Sequence, residues 1–167
     1  RGNMSAWWQA IADNGAIFTS GWTESYTTYY TGGNGEYTEG YIGGAYMTVS
    51  YCHSPGVEAY FAENYTHSTS LTLPKSSFHQ VEYTGVIHGA AEIDAARQFI
   101  EYLTSPEVNV NMPEYNSMYS VIEGSDLPET NGYRYHSDTI NTASSITDDI
   151  IEQNMEQWLI DWQDATQ

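Results

Sequence analysis

Met47-Thr-Val-Ser-Tyr51-Cys-His-Ser54-Pro55-Gly56 is the stretch on which the fold reading turns. Tyr46, Thr48, Val49 and Tyr51 are β-prone and lie between glycine-bearing segments, which predicts a buried strand from Met47 to Tyr51. Pro55 then predicts a helix, because proline at the first helical position gives up an N–H that would have had no partner. Ser54 stands where an N-cap belongs. A strand end that feeds a helix N-terminus presents unpaired amides and the positive end of a dipole, and α/β proteins hold ligands there. Tyr51, His53 and Ser54 are therefore expected at the mouth of a site; the plainer alternative is an ordinary strand–helix turn.

Upstream, Ser5 to Asp13 has helical spacing, with Trp7, Ala10 and Ile11 on one face and Gly15 placed to end it in the left-handed conformation. A brief strand is expected over 16–19. A helix follows from Thr23, with Tyr26, Tyr29 and Tyr30 on one stripe, although its threonines lower its propensity. Gly32-Gly-Asn-Gly35 breaks the pattern. Downstream, Phe78 to Ile87 is β-prone with partial alternation. Glu92 to Thr104 is the clearest helix, with Ile93, Ala96, Phe99, Ile100 and Leu103 expected inward and Ser105-Pro106 as its stop. Met112 to Tyr119 and Gly124 to Asp138 read as irregular. A last helix begins after Thr147, with Asp148 and Asp149 complementing its dipole and Met155, Trp158, Leu159 and Trp162 on its apolar face. Strands alternating with helices predict α/β layers.

The charge balance narrows the partners. Twenty-two acidic side chains face four basic ones, Lys75, Arg1, Arg97 and Arg134, for a net charge of −18. Such a surface repels nucleic acid and anionic membrane, so neither is expected as a partner. Self-repulsion destabilises a compact acidic chain unless salt screens it, which points to a protein working in concentrated salt. Fifteen tyrosines, five tryptophans and four phenylalanines supply too much apolar surface for a disordered acidic tail. One cysteine, Cys52, excludes a disulfide framework. The acceptor patterns at Asn3 and Asn64 are short hints of export. The chain opens at Arg1 without a methionine and runs straight into a helical pattern at Ala6, so it is expected to be a fragment whose beginning is missing.

Hydrolase-elbow, phosphate-loop and dinucleotide motifs are all missing from the sequence. The histidines are scattered without metal-ligand spacing, and the carboxylates are too numerous for a catalytic pair to stand out. No catalysis, cofactor or metal is expected. Aromatics are more informative. Trp22 and Tyr51 fall at expected strand ends, and Tyr119 falls in a loop with Asn116. Core packing is the commoner role for any one of them. Their shared place outside the expected core favours stacking on a flat cationic ring, which the acidic surface would also attract.

Several ordered landmarks carry a resemblance. They are Trp8…Gly21-Trp22-Thr-Glu-Ser-Tyr26, Val49-Ser-Tyr51-x-x-Ser54-Pro55 and Phe78-His-Gln-Val-Glu82. Ala96-x-x-Phe99-Ile-x-x-Leu-x-Ser105-Pro106, Met112-Pro-x-x-Asn116-x-Met118-Tyr119-x-Val121 and Trp158-Leu-Ile-x-Trp162 continue the series. Together they resemble the C-terminal half of the thiamine-binding substrate-binding proteins of ABC transporters. The resemblance implies a periplasmic-binding-protein-like two-lobe α/β architecture with a ligand cleft. Residues 1–77 would belong to the second lobe, and 78–167 would complete the first. It implies a monomeric extracytoplasmic receptor, lipid-anchored through the missing N-terminal part, that hands thiamine or its phosphates to the membrane subunits of an ABC permease. Trp22, Tyr51, His53, Ser54, Asn116 and Tyr119 would hold the ligand. The family often has an aromatic at the position of Val57 and a tryptophan at that of Ser117, and Tyr60 or Tyr115 would have to stand in. These departures keep another small cation open as the ligand.

Three alternatives compete with this reading. A ferric-iron receptor of the same fold would use tyrosinate and carboxylate oxygens. A secreted halophilic hydrolase would use two of the carboxylates as acid and base. A cell-surface interaction module would bind a protein and give no small-molecule response.

Overall fold

A computed structural model describes residues 4–30, 43–72, 77–138 and 146–167. Gly32-Gly-Asn-Gly35, Asn3 and Lys75 lie outside these residues. The described chain is helical. Helix α1 spans Met4–Asp13, and α2, Trp22–Glu24, runs into a π-helical segment, Ser25–Tyr30. Helix α3 spans Ser54–Phe61, α4 Ile93–Thr104, α5 Pro106–Asn109 and α6 Met112–Asn116. A 3-10 turn, Thr130–Gly132, leads into α7, Tyr133–His136, and α8 spans Asp148–Thr166.

This architecture corrects the expected α/β two-lobe fold. Among the described residues there is no sheet, and only Ser77 makes an isolated bridge. The stretches 16–19, 47–51 and 78–87 are irregular. The physical reason is partnership. A helix closes its hydrogen bonds within itself, whereas a strand needs a neighbour for every N–H and C=O. Tyr46, Met47, Val49, Tyr83 and Ile87 instead stand largely exposed. The total accessible surface of 12365 Å² compares with roughly 8300 Å² expected for a compact chain of this length.

Local chemistry explains the elements that do form. Ala16 N–H bonds to Ile11 C=O at 3.2 Å and Gly15 N–H to Ala12 C=O at 2.9 Å, the paired bonds of a Schellman ending. Gly15 provides the left-handed residue this ending needs, at φ +83°. The π-helical segment follows from its composition: the Thr27 hydroxyl back-bonds to Thr23 C=O at 2.7 Å, and threonines fit poorly in an α-helix. Pro55 falls in the first turn of α3 as expected, but the N-cap is His53, one residue earlier than Ser54. Pro106 ends α4 and starts α5. Thr147 is the N-cap of α8 by backbone geometry, without a capping bond from its side chain. Two stretches read as irregular contain short helices, α6 and α7.

Two helix pairings organise the molecule: α1 packs on α8, and α3 packs on α7 with its preceding 3-10 turn. In the second pairing Val57, Leu127 and Tyr133 form the buried cluster, with Tyr60 against it. Gly56 makes the close approach possible. A Cβ there would lie 1.9 Å from Ser137 Oγ and 2.4 Å from Tyr133 C=O. The apolar stripe of α4 behaves otherwise: Ile93 and Phe99 are exposed, and the helix packs on α5, its immediate successor.

Candidate functional site

The N-terminal end of α3 is a hub where distant segments are tied together. Ser54 N–H bonds to Tyr51 C=O at 3.0 Å, closing a tight turn over Cys52 and His53. Cys52 C=O accepts from Asp138 N–H at 2.9 Å and from Ser70 Oγ at 2.5 Å. The Tyr119 hydroxyl donates to Asp138 C=O at 2.8 Å and lies 3.8 Å from Cys52 Sγ. His53 Nε2 bonds to the carbonyl of Ser117. Ser117 is the left-handed C-cap of α6, with φ 54°, and this conformation belongs to the turn that supplies its carbonyl.

A row of rings runs through the hub. Trp22 stacks on Tyr26 with centroids 5.0 Å apart and planes at 23°. The edge of Tyr51 meets Trp22 at 5.8 Å, and Tyr51 lies 6.0 Å from His53. His53 meets Tyr119 at 4.8 Å, nearly perpendicular. On the other side of Tyr26 the row continues through Tyr30 to His67. Trp22 is 41% exposed, Tyr51 44% and Tyr119 38%, so the row offers ring surface to solvent although parts of it are anchored in the interior.

Four of the six residues singled out from sequence, Trp22, Tyr51, His53 and Tyr119, therefore share one aromatic row. Ser54 is also in the hub, as the first residue of α3 and not the N-cap expected. Its Oγ accepts from Tyr51 N–H at 3.3 Å and pairs with Ser50 Oγ at 2.7 Å, and Ser50 Oγ accepts from Trp22 Nε1 at 3.0 Å. Asn116 is exposed at the end of α6, and its neighbour Ser117 makes the link to His53. Tyr115, an expected stand-in for a stacking aromatic, is 85% exposed. Tyr60, the other, packs against the core cluster, to which Val57 itself belongs.

Sequence reasoning missed Glu58. Among so many acidic residues it reads as surface, yet it is 2% exposed, and hydroxyls of Tyr26, Thr66 and Ser68 converge on its carboxylate. The available signal was its place among apolar residues on α3 together with the nearby Thr66 and Ser68.

The electrostatics favour neutral hydrogen-bonding groups in the hub. Burial lowers the His53 pKa, more than the bond to Ser117 raises it. A carbonyl can only accept, so Nε2 carries the proton and Nδ1 keeps a lone pair. Nδ1 is buried without a partner among the described residues. Burial also pushes the Tyr119 hydroxyl well above its ordinary range, with Cys52 next and Tyr133 and Asp138 adding to it. Tyr119 is therefore a phenol at any ordinary pH. Among the described residues no group of three His, Cys, Asp or Glu is placed to hold a metal ion. Nor is any described helix long and apolar enough to cross a membrane.

No protein-family model, curated protein or solved structure matches the chain. Its functional reading rests on this site.

Proposed function

We propose that the protein is an extracytoplasmic solute receptor that binds thiamine, or a related planar cation, on the aromatic row and passes it to an ABC permease. The observation that carries the reading is the convergence of Trp22, Tyr51, His53 and Tyr119 from three segments of the chain, with three of the rings partly exposed to solvent. Partly exposed indole and phenol rings attract a flat cation through the ring quadrupole. A net charge of −18 adds a long-range pull on the same ligand. The order of the sequence landmarks supports thiamine as the first ligand to try. Ferric iron is the weaker reading, because it needs several hard oxygen ligands around one point and the Tyr119 hydroxyl is already committed to Asp138 C=O.

The test is a thiamine titration of the protein in molar salt, followed by tryptophan fluorescence and calorimetry. Saturable quenching is expected, with Trp22→Ala and Tyr51→Ala each weakening binding by about tenfold, the scale of one lost cation–π contact. A flat titration from a folded protein removes thiamine. Binding that both variants leave unchanged removes the aromatic row as the site.

A further inference from the structure

Trp22 has two anchors, and both trace back to one face of α3. On one side its indole N–H reaches Ser50 Oγ at 3.0 Å, which pairs with Ser54 Oγ at 2.7 Å. On the other side its ring lies on Tyr26, whose hydroxyl is bound by Glu58. Ser54 and Glu58 are four residues apart on the helix, so they project from the same face, one turn from each other.

The Glu58 carboxylate is costly where it is. A buried polar group must find hydrogen-bond partners, and a well-packed apolar residue would often serve stability as well or better. Here Oε1 accepts from the Tyr26 hydroxyl and from Ser68 Oγ at 2.8 Å, and Oε2 accepts from Thr66 Oγ1 at 2.5 Å. Hydrogen bonds are directional. This one fixes the hydroxyl end of a 2% exposed tyrosine, and with it the plane on which Trp22 rests. Trp22 itself remains 41% exposed.

We propose that Glu58 and Ser54 are positioning residues that hold Trp22 as a preoriented stacking platform, Glu58 acting through Tyr26 and Ser54 through Ser50. As far as it concerns ligand, this rests on the receptor reading above. A platform fixed before binding spares the ligand the cost of ordering the ring.

The experiment compares Tyr26→Phe, Glu58→Gln and Glu58→Leu in two readouts: the long-wavelength tryptophan band of near-ultraviolet circular dichroism without ligand, and affinity for thiamine. Tyr26→Phe removes one hydroxyl and leaves Glu58 two others, so it tests the idea even if Glu58→Leu fails to fold. It is expected to reduce the tryptophan band and to weaken thiamine about fivefold. Glu58→Gln retains an acceptor for the Tyr26 hydroxyl and is expected to preserve both readouts where Glu58→Leu loses them. An unchanged tryptophan band in Tyr26→Phe overturns the proposal, whatever thiamine does. A wild-type protein that ignores thiamine, with the band still reduced in Tyr26→Phe, sinks the receptor reading and upholds the mounting of Trp22.

Discussion

Helices α3 and α4 reverse what their sequences suggest. The twelve-residue α4 has the cleaner amphipathic stripe and no buried residue, whereas α3, with eight residues and weaker patterning, is buried from Ser54 to Ala59. The difference lies in what stands opposite. Helix α3 meets α7 and the preceding 3-10 turn, closely enough that Gly56 has no room for a side chain. Among the described residues, helix α4 has substantial contacts only with the next short helix along the chain. Amphipathic spacing establishes that a helix forms; burial is decided by segments elsewhere in the chain.

The contrast is broken most directly by truncating one ring on each side of it. Tyr133 is 1% exposed and its hydroxyl donates to Pro113 C=O at 3.1 Å, so Tyr133→Ala is expected to cost about 3–5 kcal/mol. Phe99 on α4 is 57% exposed, and Phe99→Ala is expected to cost within ~0.5 kcal/mol. Urea unfolding in molar salt measures both, and equal losses would abolish the distinction between the two helices.

A smaller change sharpens the same comparison. Gly56→Ala adds a methyl group where Ser137 Oγ and Tyr133 C=O already stand, and a loss of about 1–3 kcal/mol is expected although alanine is the better helix former. If stability instead rises, α3 and α7 are not in close contact.

The smallest expected effect is a pH dependence confined to the α3 side. His53, facing Tyr51, Tyr119 and the Ser117 carbonyl, has a folded pKa below its ordinary 6.5 because it is buried. The unfolded chain then takes up the proton first. The contribution is complete above pH 6.5 and is lost as pH falls through the window beneath it. His53→Gln should flatten the shift of the urea midpoint across that window; a shift equal to the wild type would assign the dependence to other groups.

What was legible in the sequence was local. Gly15, Pro55 and Pro106 mark helix ends through their own backbone chemistry, and the structure uses each of them at the expected boundary. Strands were misread at 47–51 and 78–87 because β-propensity describes a residue's fit to a sheet and cannot supply the neighbouring strand. The α7 turn was missed because four residues are too few to show a period. Trp22, Tyr51 and Tyr119 are conspicuous as large aromatics at expected strand ends or in an expected loop; the structure brings them into one row, although the strands at 16–19 and 47–51 that single out the first two do not form. Glu58 was hidden by its own commonness, since only the hydroxyls that fold onto it set it apart from the other acids.

The hub also has a consequence for the order in which the chain matures. His53 is tied to a carbonyl 64 residues later, and Asn131 reaches back to Tyr60 across 71 residues, its Nδ2 donating to the C=O at 2.8 Å. Contacts of such separation must bear the loop-closure entropy before they return anything. As the chain leaves the ribosome, α3 emerges with its burying surface still unsynthesised, and α1 waits longer still, for α8. Until α7 covers α3, the helix that carries Ser54 and Glu58 lacks its packing partner, and Tyr119 gains its bond to Asp138 C=O only after that, so the complete aromatic row is a late product of folding even though most of its rings are made early.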